Sequence, residues 1–417
     1  MKSIRPEDVG LSSTRLRRIN PIMQRYVDER MCAGGVTFIA RRGQIAHCEC
    51  FGMMDIAAEK PMQPDAIFRI YSMSKPITSV AMMMLYEEGA FRLSDPVSKF
   101  IPEFADTMVF AGKGKAGIYK TDCEREMTIQ HLLTHTSGLS YGFEDDDPID
   151  ELYQEIDDGL KVYGADAHMV NPEGPTLQTL MAALAKIPLR YQPGSQWYYS
   201  FSIDVLGYLV EVLSGESFDQ FLRRRIFDPL QMPDTGFSIV EAQRERLTTL
   251  YEPAGKTDSS AEKGGVQVVD SPATTPLVRP PNFFSGGGGL VSTASDYARF
   301  AQMLLNKGEL DGVRLLGRKT VEFMTENHLS DAVRHEYFDS EHPGYGFGLG
   351  GQVLLNAAQS QMIGSEGTFG WGGAARTDFW IDPQEELVGL FMIQLIAGDT
   401  PWLADDFKIL TYQAIVE

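Results

Sequence analysis

Ser72 and Lys75 stand three residues apart in the stretch Tyr71-Ser-Met-Ser-Lys-Pro-Ile-Thr78. On a helix that spacing sets a hydroxyl and an amine on one face, the least that a serine nucleophile with a lysine base requires. The run behind them predicts a helix, because Met73, Ile77, Val80, Ala81, Met84 and Leu85 recur every three to four residues. Met82 and Met83 make the run apolar nearly all round, the pattern of a buried helix, and Gly89 marks its end. Pro76 fits only if the helix starts just before it, since an interior proline lacks an N–H and clashes with the previous turn. Ser72 is thereby placed at the helix N-terminus, where unpaired N–H groups and the positive dipole end favour a developing anion. An amine withdrawn from water gives up its proton more readily and can then take one from a serine hydroxyl. Ser-x-x-Lys alone is a weak signal, arising by chance about once or twice in a chain of this length. Ser260-Ala-Glu-Lys263 is such a match, in a polar stretch with no apolar helix after it. Ser72 differs in its context, the strand-like Ala66–Ile70 before it and the buried helix behind it.

Other chemistries find less support. A Ser-His-Asp hydrolase is the obvious rival, set aside because no Gly-x-Ser-x-Gly elbow is read anywhere in the chain. His47, His168, His328, His335 and His342 have no motif around them, and no His-Glu-x-x-His pair suggests zinc. Glu144-Asp-Asp-Asp147 misses the calcium-loop pattern and reads as a solvated loop. Gly112–Gly117 reads as a flexible loop without the ending of a phosphate-binding loop. No metal and no cofactor is therefore expected. A net charge of −20 argues against nucleic acid and anionic membrane surfaces as partners. No apolar run has the length of a membrane span, and Met1–Asp8 has no signal-peptide character. Cys32, Cys48, Cys50 and Cys123 form no disulfide framework and read as reduced thiols of a cytoplasmic protein.

The chain of 417 residues is long enough for a large core, and its 43% hydrophobic and 23% charged content is ordinary for a globular protein. Ser12 and Ser13 are candidate caps for a helix carrying Leu16, Ile19, Met23, Tyr26 and Val27. Gly35–Ala40 and Gln44–Phe51 read as a β-hairpin turning at Arg41-Arg42-Gly43, and Asp95-Pro96 marks a later turn. Helices are expected at Thr128–Leu133, Thr176–Ile187, Ser202–Leu213 and Phe218–Ile226, with a polar surface loop at Gly255–Gly265. Further helices follow at Asp296–Asn306, capped by Thr293, around Lys319–Asn327, and from Trp402 to Val416. Strand-like runs cluster at Gly346–Leu355, Arg376–Ile381 and Leu387–Ile396. Strands at both ends with helices between predict an α/β fold of the α+β type: an antiparallel sheet from both chain ends, flanked by helices, with a mostly helical lobe inserted. The expected division is residues 1–96 with 281–417 as the sheet lobe and 97–280 as the inserted lobe. The site is expected where they meet.

Five segments in order carry a resemblance: Tyr71-Ser72-Met-Ser-Lys75-Pro76, Leu132-Leu-Thr-His-Thr-Ser-Gly-Leu139, Pro193-Gly-Ser-Gln-Trp-Tyr-Tyr199-Ser200, Ser285-Gly-Gly-Gly-Gly-Leu290 and Gly370-Trp-Gly-Gly373. Over nearly its whole length the chain resembles the serine β-lactamase and penicillin-binding-protein superfamily, and within it the β-lactamase-like carboxylesterases of family VIII. The resemblance implies the β-lactamase-like fold and a hydroxyl facing Ser72 from the tyrosine after the Pro-Gly turn. The family's Tyr-Ser spacing selects Tyr199, not Tyr198. A phenol near an ammonium has its ionised form favoured and can relay a proton. By the same resemblance the N–H groups of Ser72 and Ala374 form the oxyanion hole, commonly the largest catalytic contribution. Trp371, Gly372 and Gly373 stand where β-lactamases carry Lys-Thr-Gly, and glycines there let a backbone approach a ligand closely. His131 and His135 are read as fixing a turn.

The implied activity is hydrolysis of short-chain acyl esters through an acyl-enzyme on Ser72, in a pocket lined by Tyr141, Phe284 and Trp371. The rivals are a β-lactamase or D-amino-acid peptidase, an acyltransferase, and a non-catalytic binding module. Phe201, where β-lactam-cleaving relatives usually have asparagine, speaks against recognition of an amide side chain. Ser72, Lys75 and Tyr199 together speak against the binding module.

Overall fold

The computed structural model describes residues 1–115, 117–144, 146–160, 174–254, 265–396 and 402–417. The Ser260–Lys263 match, His168 and nearly all of the expected loop at Gly255–Gly265 lie outside the described residues.

The first hairpin forms where its turn residues place it. Strand β1 (Gly34–Arg41) pairs with β2 (Gln44–Asp55) so that Arg41 faces Gln44. That leaves Arg42 at φ 51° and Gly43 at φ 73° as a two-residue turn, the left-handed pair that matches the twist of the flanking strands. Every residue of β1 is buried, so β1 cannot be an edge. Its other side pairs with β8 (Leu387–Ile393), from Gly35 opposite Ile393 to Arg41 opposite Leu387. With β3 (Lys60–Pro61), β4 (Tyr345–Phe347), β5 (Gln352–Leu354), β6 (Phe369–Gly372) and β7 (Asp378–Asp382), the sheet runs β4-β5-β6-β7-β8-β1-β2-β3, antiparallel throughout.

Alternation along each strand feeds two cores. Phe379 points to one face and packs on Tyr297 of helix α4 (Ala294–Leu305), ring centroids 4.9 Å apart. Trp380, the next residue, points to the other and packs on Phe407 of α5 (Trp402–Tyr412) at 5.6 Å. Helix α1 (Ile19–Asp28) shares that second face through Ile19 and Met23. The first face continues into the larger core, which holds α2 (Ser74–Glu87) and α3 (Ser202–Ser214). Among the described residues no helix is long and apolar enough to cross a membrane.

Several expectations needed correction. Gly112–Gly117 belongs to a hairpin, Met108–Gly114 with Gly117–Asp122, anchored by the Phe110 N–H on the Leu189 carbonyl at 2.8 Å. Gly346–Leu355 is two strands, β4 and β5, because the chain folds back with the Gly348 N–H on the Gly351 carbonyl at 2.8 Å. The segment after Phe218–Leu222 widens into a π-turn at Arg223–Phe227. The last helix stops at Tyr412, and the Ala414 carbonyl accepts the Ser12 N–H at 2.8 Å.

Candidate active site

Ser72, the expected nucleophile, lies on a turn held from both sides. The short strand Phe68–Arg69 pairs with Val291–Ser292, and buried Arg69 is ion-paired with Asp270. Tyr71 then takes φ 42°, a left-handed conformation that an aromatic residue holds only when its surroundings impose it. A 3₁₀ turn, Tyr71–Met73, carries Ser72 and runs into α2, so the α-helix begins two residues after Ser72. Lys75 and Pro76 fall in its first turn, where a proline N–H is not missed. The Tyr297 hydroxyl donates to the Met73 carbonyl at 2.8 Å, and the Ile70 N–H donates to the Leu290 carbonyl at 3.0 Å.

Lys75 is 1% exposed. Its Nζ donates to Ser72 Oγ at 3.2 Å and to the Gly287 carbonyl at 2.7 Å. It also lies 4.4 Å from the centre of the Tyr199 ring and 5.2 Å from that of Tyr141, within reach of the negative ring faces. Tyr199 is held by rings on every side: His135 at 4.8 Å, Tyr141 at 5.3 Å and Trp371 at 5.8 Å. Tyr198 points elsewhere. Its hydroxyl reaches Glu144 at 2.9 Å and Asp150 at 3.2 Å, and the Arg190 guanidinium lies 4.4 Å from its ring centre. Burial pushes the Tyr198 phenol well above its ordinary range.

The third wall is the end of β6. The Gly373 N–H bonds the Thr377 carbonyl at 2.7 Å, closing the β6–β7 turn, and Thr377 Oγ1 reaches the Ile70 carbonyl at 3.4 Å. A Cβ on Gly373 would overlap both that hydroxyl and that carbonyl, so only glycine lets the end of β6 lie against the Ser72 turn. Ala374 follows, and with Ser72, Lys75, Tyr141, Tyr199, Trp371, Gly372 and Gly373 it lines one cavity of about 730 Å³. Trp371 is 9% exposed, and its indole N–H donates to the Tyr199 hydroxyl at 3.4 Å. Phe284 corrects an expectation: it does not line the cavity, and its ring packs on Phe237 at 5.2 Å.

The histidines do structural work. His131 closes a capping box with Thr128, and burial lowers its pKa to about 4. His135 is fully buried with Nδ1 3.2 Å from Ser200 Oγ, and its pKa falls well below the ordinary value through burial and then the Lys75 charge. The reading that no Gly-x-Ser-x-Gly segment exists is corrected: Gly138-Leu-Ser-Tyr-Gly142 is one. Its Ser140 is buried and donates to Asp150 at 2.6 Å, with no place in the cavity.

Sequence reasoning missed several residues. His342 lines the cavity, stacked on Phe338 at 4.6 Å, and burial lowers its pKa. Asp378 also lines it, opposite Gly372 across the β6–β7 pair, with burial pushing its carboxyl up to about 7. Asp204 of α3 is fully buried beside Lys75 and accepts from Ser285, Gly287 and Tyr141. The only available signal was a lone aspartate in the otherwise uncharged run Ile203–Val210. Among the described residues no group of three or more His, Cys, Asp or Glu is placed to hold a metal ion.

The arrangement pairs a hydroxyl with a buried amine, a phenol and glycine-rich backbone, the parts of an acyl-transfer site. Comparison with known proteins agrees. Protein Rv1367c of Mycobacterium tuberculosis is 36% identical over 372 residues, 88% of this chain and 87% of that protein. Esterase EstB of Burkholderia gladioli is 29% identical over 395 residues, 91% of each. The solved structure of "EstCE1, a hydrolase with promiscuous acyltransferase activity" superposes with a TM-score of 0.75 at 26% identity, covering 96% of this chain and 98% of that one. The Beta-lactamase family model matches residues 19–410, a stretch that opens with α1 and closes within α5. A match of that extent makes this chain a member of the beta-lactamase family, a serine hydrolase with the β-lactamase-like fold.

Proposed function

We propose that the protein is a carboxylesterase that hydrolyses short-chain acyl esters of uncharged substrates. Support comes chiefly from the contact of Lys75 Nζ with Ser72 Oγ at 3.2 Å beside the Tyr199 ring. Ser72 Oγ bonds to the ester carbonyl carbon as its proton passes to Lys75. The tetrahedral oxygen rests on the N–H groups of Ser72 and Ala374. Collapse breaks the carbon–alkoxide bond, and Tyr199 delivers the proton to the departing alcohol while Lys75 replenishes it. Water then enters, gives a proton to Tyr199 as Tyr199 passes its own to Lys75, and attacks the acyl carbon. Release of the acid returns the proton to Ser72, so the cycle consumes one ester and one water. The division into a sheet lobe, 1–96 with 281–417, and an inserted lobe, 97–280, belongs to the same proposal.

Trp371 favours esters over β-lactams. A β-lactam carboxylate beside it would meet a neutral indole whose one N–H already points to Tyr199. An unpaired charge buried there is costly. Phe201, 1% exposed and 4.7 Å from the Tyr141 ring, offers no polar contact either. A second reading, acyl transfer to an alcohol in place of water, is favoured by the aromatic lining of the cavity and by the activity named for EstCE1.

One experiment tests both. Wild type and Ser72→Ala are assayed on p-nitrophenyl butyrate and on a chromogenic cephalosporin, with products resolved in the presence of a primary alcohol. Expected is a kcat/KM lead for the ester of about a hundredfold or more, two wrong polar contacts at ~1–3 kcal/mol each, and no turnover by Ser72→Ala. Residual Ser72→Ala activity near wild type rules out the mechanism, and parity for the cephalosporin rules out the substrate class. A butyryl ester of the added alcohol as main product selects the transferase reading.

A further inference from the structure

A carboxylate buried behind a catalytic amine needs a reason. Asp204 is 0% exposed, in the first turn of α3, and has three hydrogen-bond donors on it. Ser285 Oγ donates to Oδ1 at 2.6 Å, the Gly287 N–H to Oδ1 at 3.1 Å, and the Tyr141 hydroxyl to Oδ2 at 3.1 Å. Both oxygens accept, which is what an ionised carboxylate does. The same Gly287 hands its carbonyl to Lys75 Nζ at 2.7 Å. A Cβ on Gly287 would overlap the Tyr141 hydroxyl and the Asp204 carboxylate, so the turn fits only as glycine. The neighbouring Gly286 carbonyl accepts from Thr78 at 2.8 Å, one turn along α2 from Lys75. One residue, Gly287, is thus gripped by Asp204 at its N–H and grips Lys75 at its carbonyl.

We propose that Asp204 is a positioning residue of this site, the buried counter-charge to Lys75 and the clamp that holds the Gly287 carbonyl against its amine. The inference rests on the reading of Lys75 as the base for Ser72. Without the clamp the Gly287 carbonyl drifts and Lys75 Nζ loses the anchor that keeps it on Ser72 Oγ. Without the charge the protonated form of the relay is less favoured. The titratable groups facing this pair are Tyr199 before α3 and His135 and Tyr141 on the loop after the Thr128 helix, with Lys75 itself on α2. His135 is held neutral by burial, so among the described residues Asp204 is the negative group of the set. Burial raises its carboxyl above the ordinary range, and the Lys75 charge is the first influence that opposes this.

The test uses Asp204→Asn in the full chain, with kcat and kcat/KM for p-nitrophenyl butyrate followed across pH. Expected is a fall in plateau kcat of about a hundredfold with KM within about threefold. The acid limb of kcat/KM moves down by about one pH unit, since removing an opposite charge makes the site easier to deprotonate. A plateau within threefold of wild type overturns the proposal, and so does a reduced plateau with an unmoved limb, which a purely structural role would give. Should Asp204→Asn not fold, Ser285→Ala carries the test, because it removes one hydrogen bond and keeps the charge. A five- to twentyfold lower kcat with the limb in place supports the clamp, and wild-type kcat overturns it. Labelling of Ser72 by a fluorophosphonate separates the two readings. A wild type that neither turns over the ester nor is labelled defeats the proposed function, whereas a labelled, active wild type matched by Asp204→Asn defeats this inference alone.

Discussion

Tyr198 and Tyr199 are chain neighbours with opposite surroundings, and their substitution separates catalysis from stability. Tyr199→Phe removes the hydroxyl proposed to relay the proton and is expected to lower kcat by about 10²–10⁴ with the thermal midpoint little changed. Tyr198→Phe removes hydrogen bonds to Glu144 and Asp150. It should leave kcat within a few-fold and reduce stability by roughly 1–3 kcal/mol. Steady-state kinetics and thermal melts on both variants decide it, and the reverse pattern would put the catalytic register one residue earlier. Trp371→Phe deletes the N–H on the Tyr199 hydroxyl. It is expected to lower kcat roughly three- to tenfold with KM little changed, measured on the same ester. Ser72 and Lys75 were legible because their relation is local, three residues along one turn. Asp204 and His342 were not, because each acquires its partners only when distant segments close around it. Asp204 meets the turn at Ser285–Gly287, and His342 meets Trp197 and Phe338.

At the scale of elements, the β6 wall and the Ser72 turn lie within van der Waals reach of each other. Gly373→Ala inserts a methyl group between the Ile70 carbonyl and Thr377 Oγ1, and backbone on one side cannot yield as a side-chain tip can. The strand end shifts away from Ser72 and takes the Ala374 N–H out of line with the reacting oxygen. Losing one oxyanion donor corresponds to about 10²–10³ in kcat. Ester kinetics with circular dichroism check this, and a folded Gly373→Ala with wild-type kcat would remove Ala374 from the oxyanion hole. Elements with a strong local signature were readable in advance: α2 from its unbroken apolar run, and β1–β2 from Arg42-Gly43. The errors share a cause. Glycines at 112–117 and 348–351 were read as a loop and as strand interior, yet each lies where a hairpin needs unusual backbone angles. Gly112 has φ 138° and Gly350 φ 93°, and only long-range pairing shows which use a glycine serves.

The molecule as a whole carries a pH signature in its buried histidines. His47 hydrogen-bonds Thr37 at 2.8 Å inside the sheet, and burial lowers its pKa from 6.5 to about 4. The unfolded chain therefore binds the proton first. Stability from this group is fully present above pH 6.5 and is lost as pH falls toward 4, on the order of 3 kcal/mol at 1.36 kcal/mol per unit. His131 acts in the same direction, while Asp378, raised to about 7, acts in the opposite one. His47→Gln isolates the first contribution. The gap between its thermal midpoint and that of wild type should narrow from pH 8 to pH 4, and a constant gap would show that His47 does not titrate between the two states. The pairing of β1 with β8 reaches further, into how the protein is made. Ribosomes add roughly 5–20 residues per second, so after β1 emerges its partner strand follows only about 20–70 s later. Throughout that interval Val36, Phe38 and Ile39, all buried in the finished sheet, sit on a strand with one side unpaired. An open apolar edge is a template for joining another chain. Ser72 is thus translated early, but the sheet behind it closes only when β8 arrives, and in the meantime the open side of β1 is a site where another chain could pair.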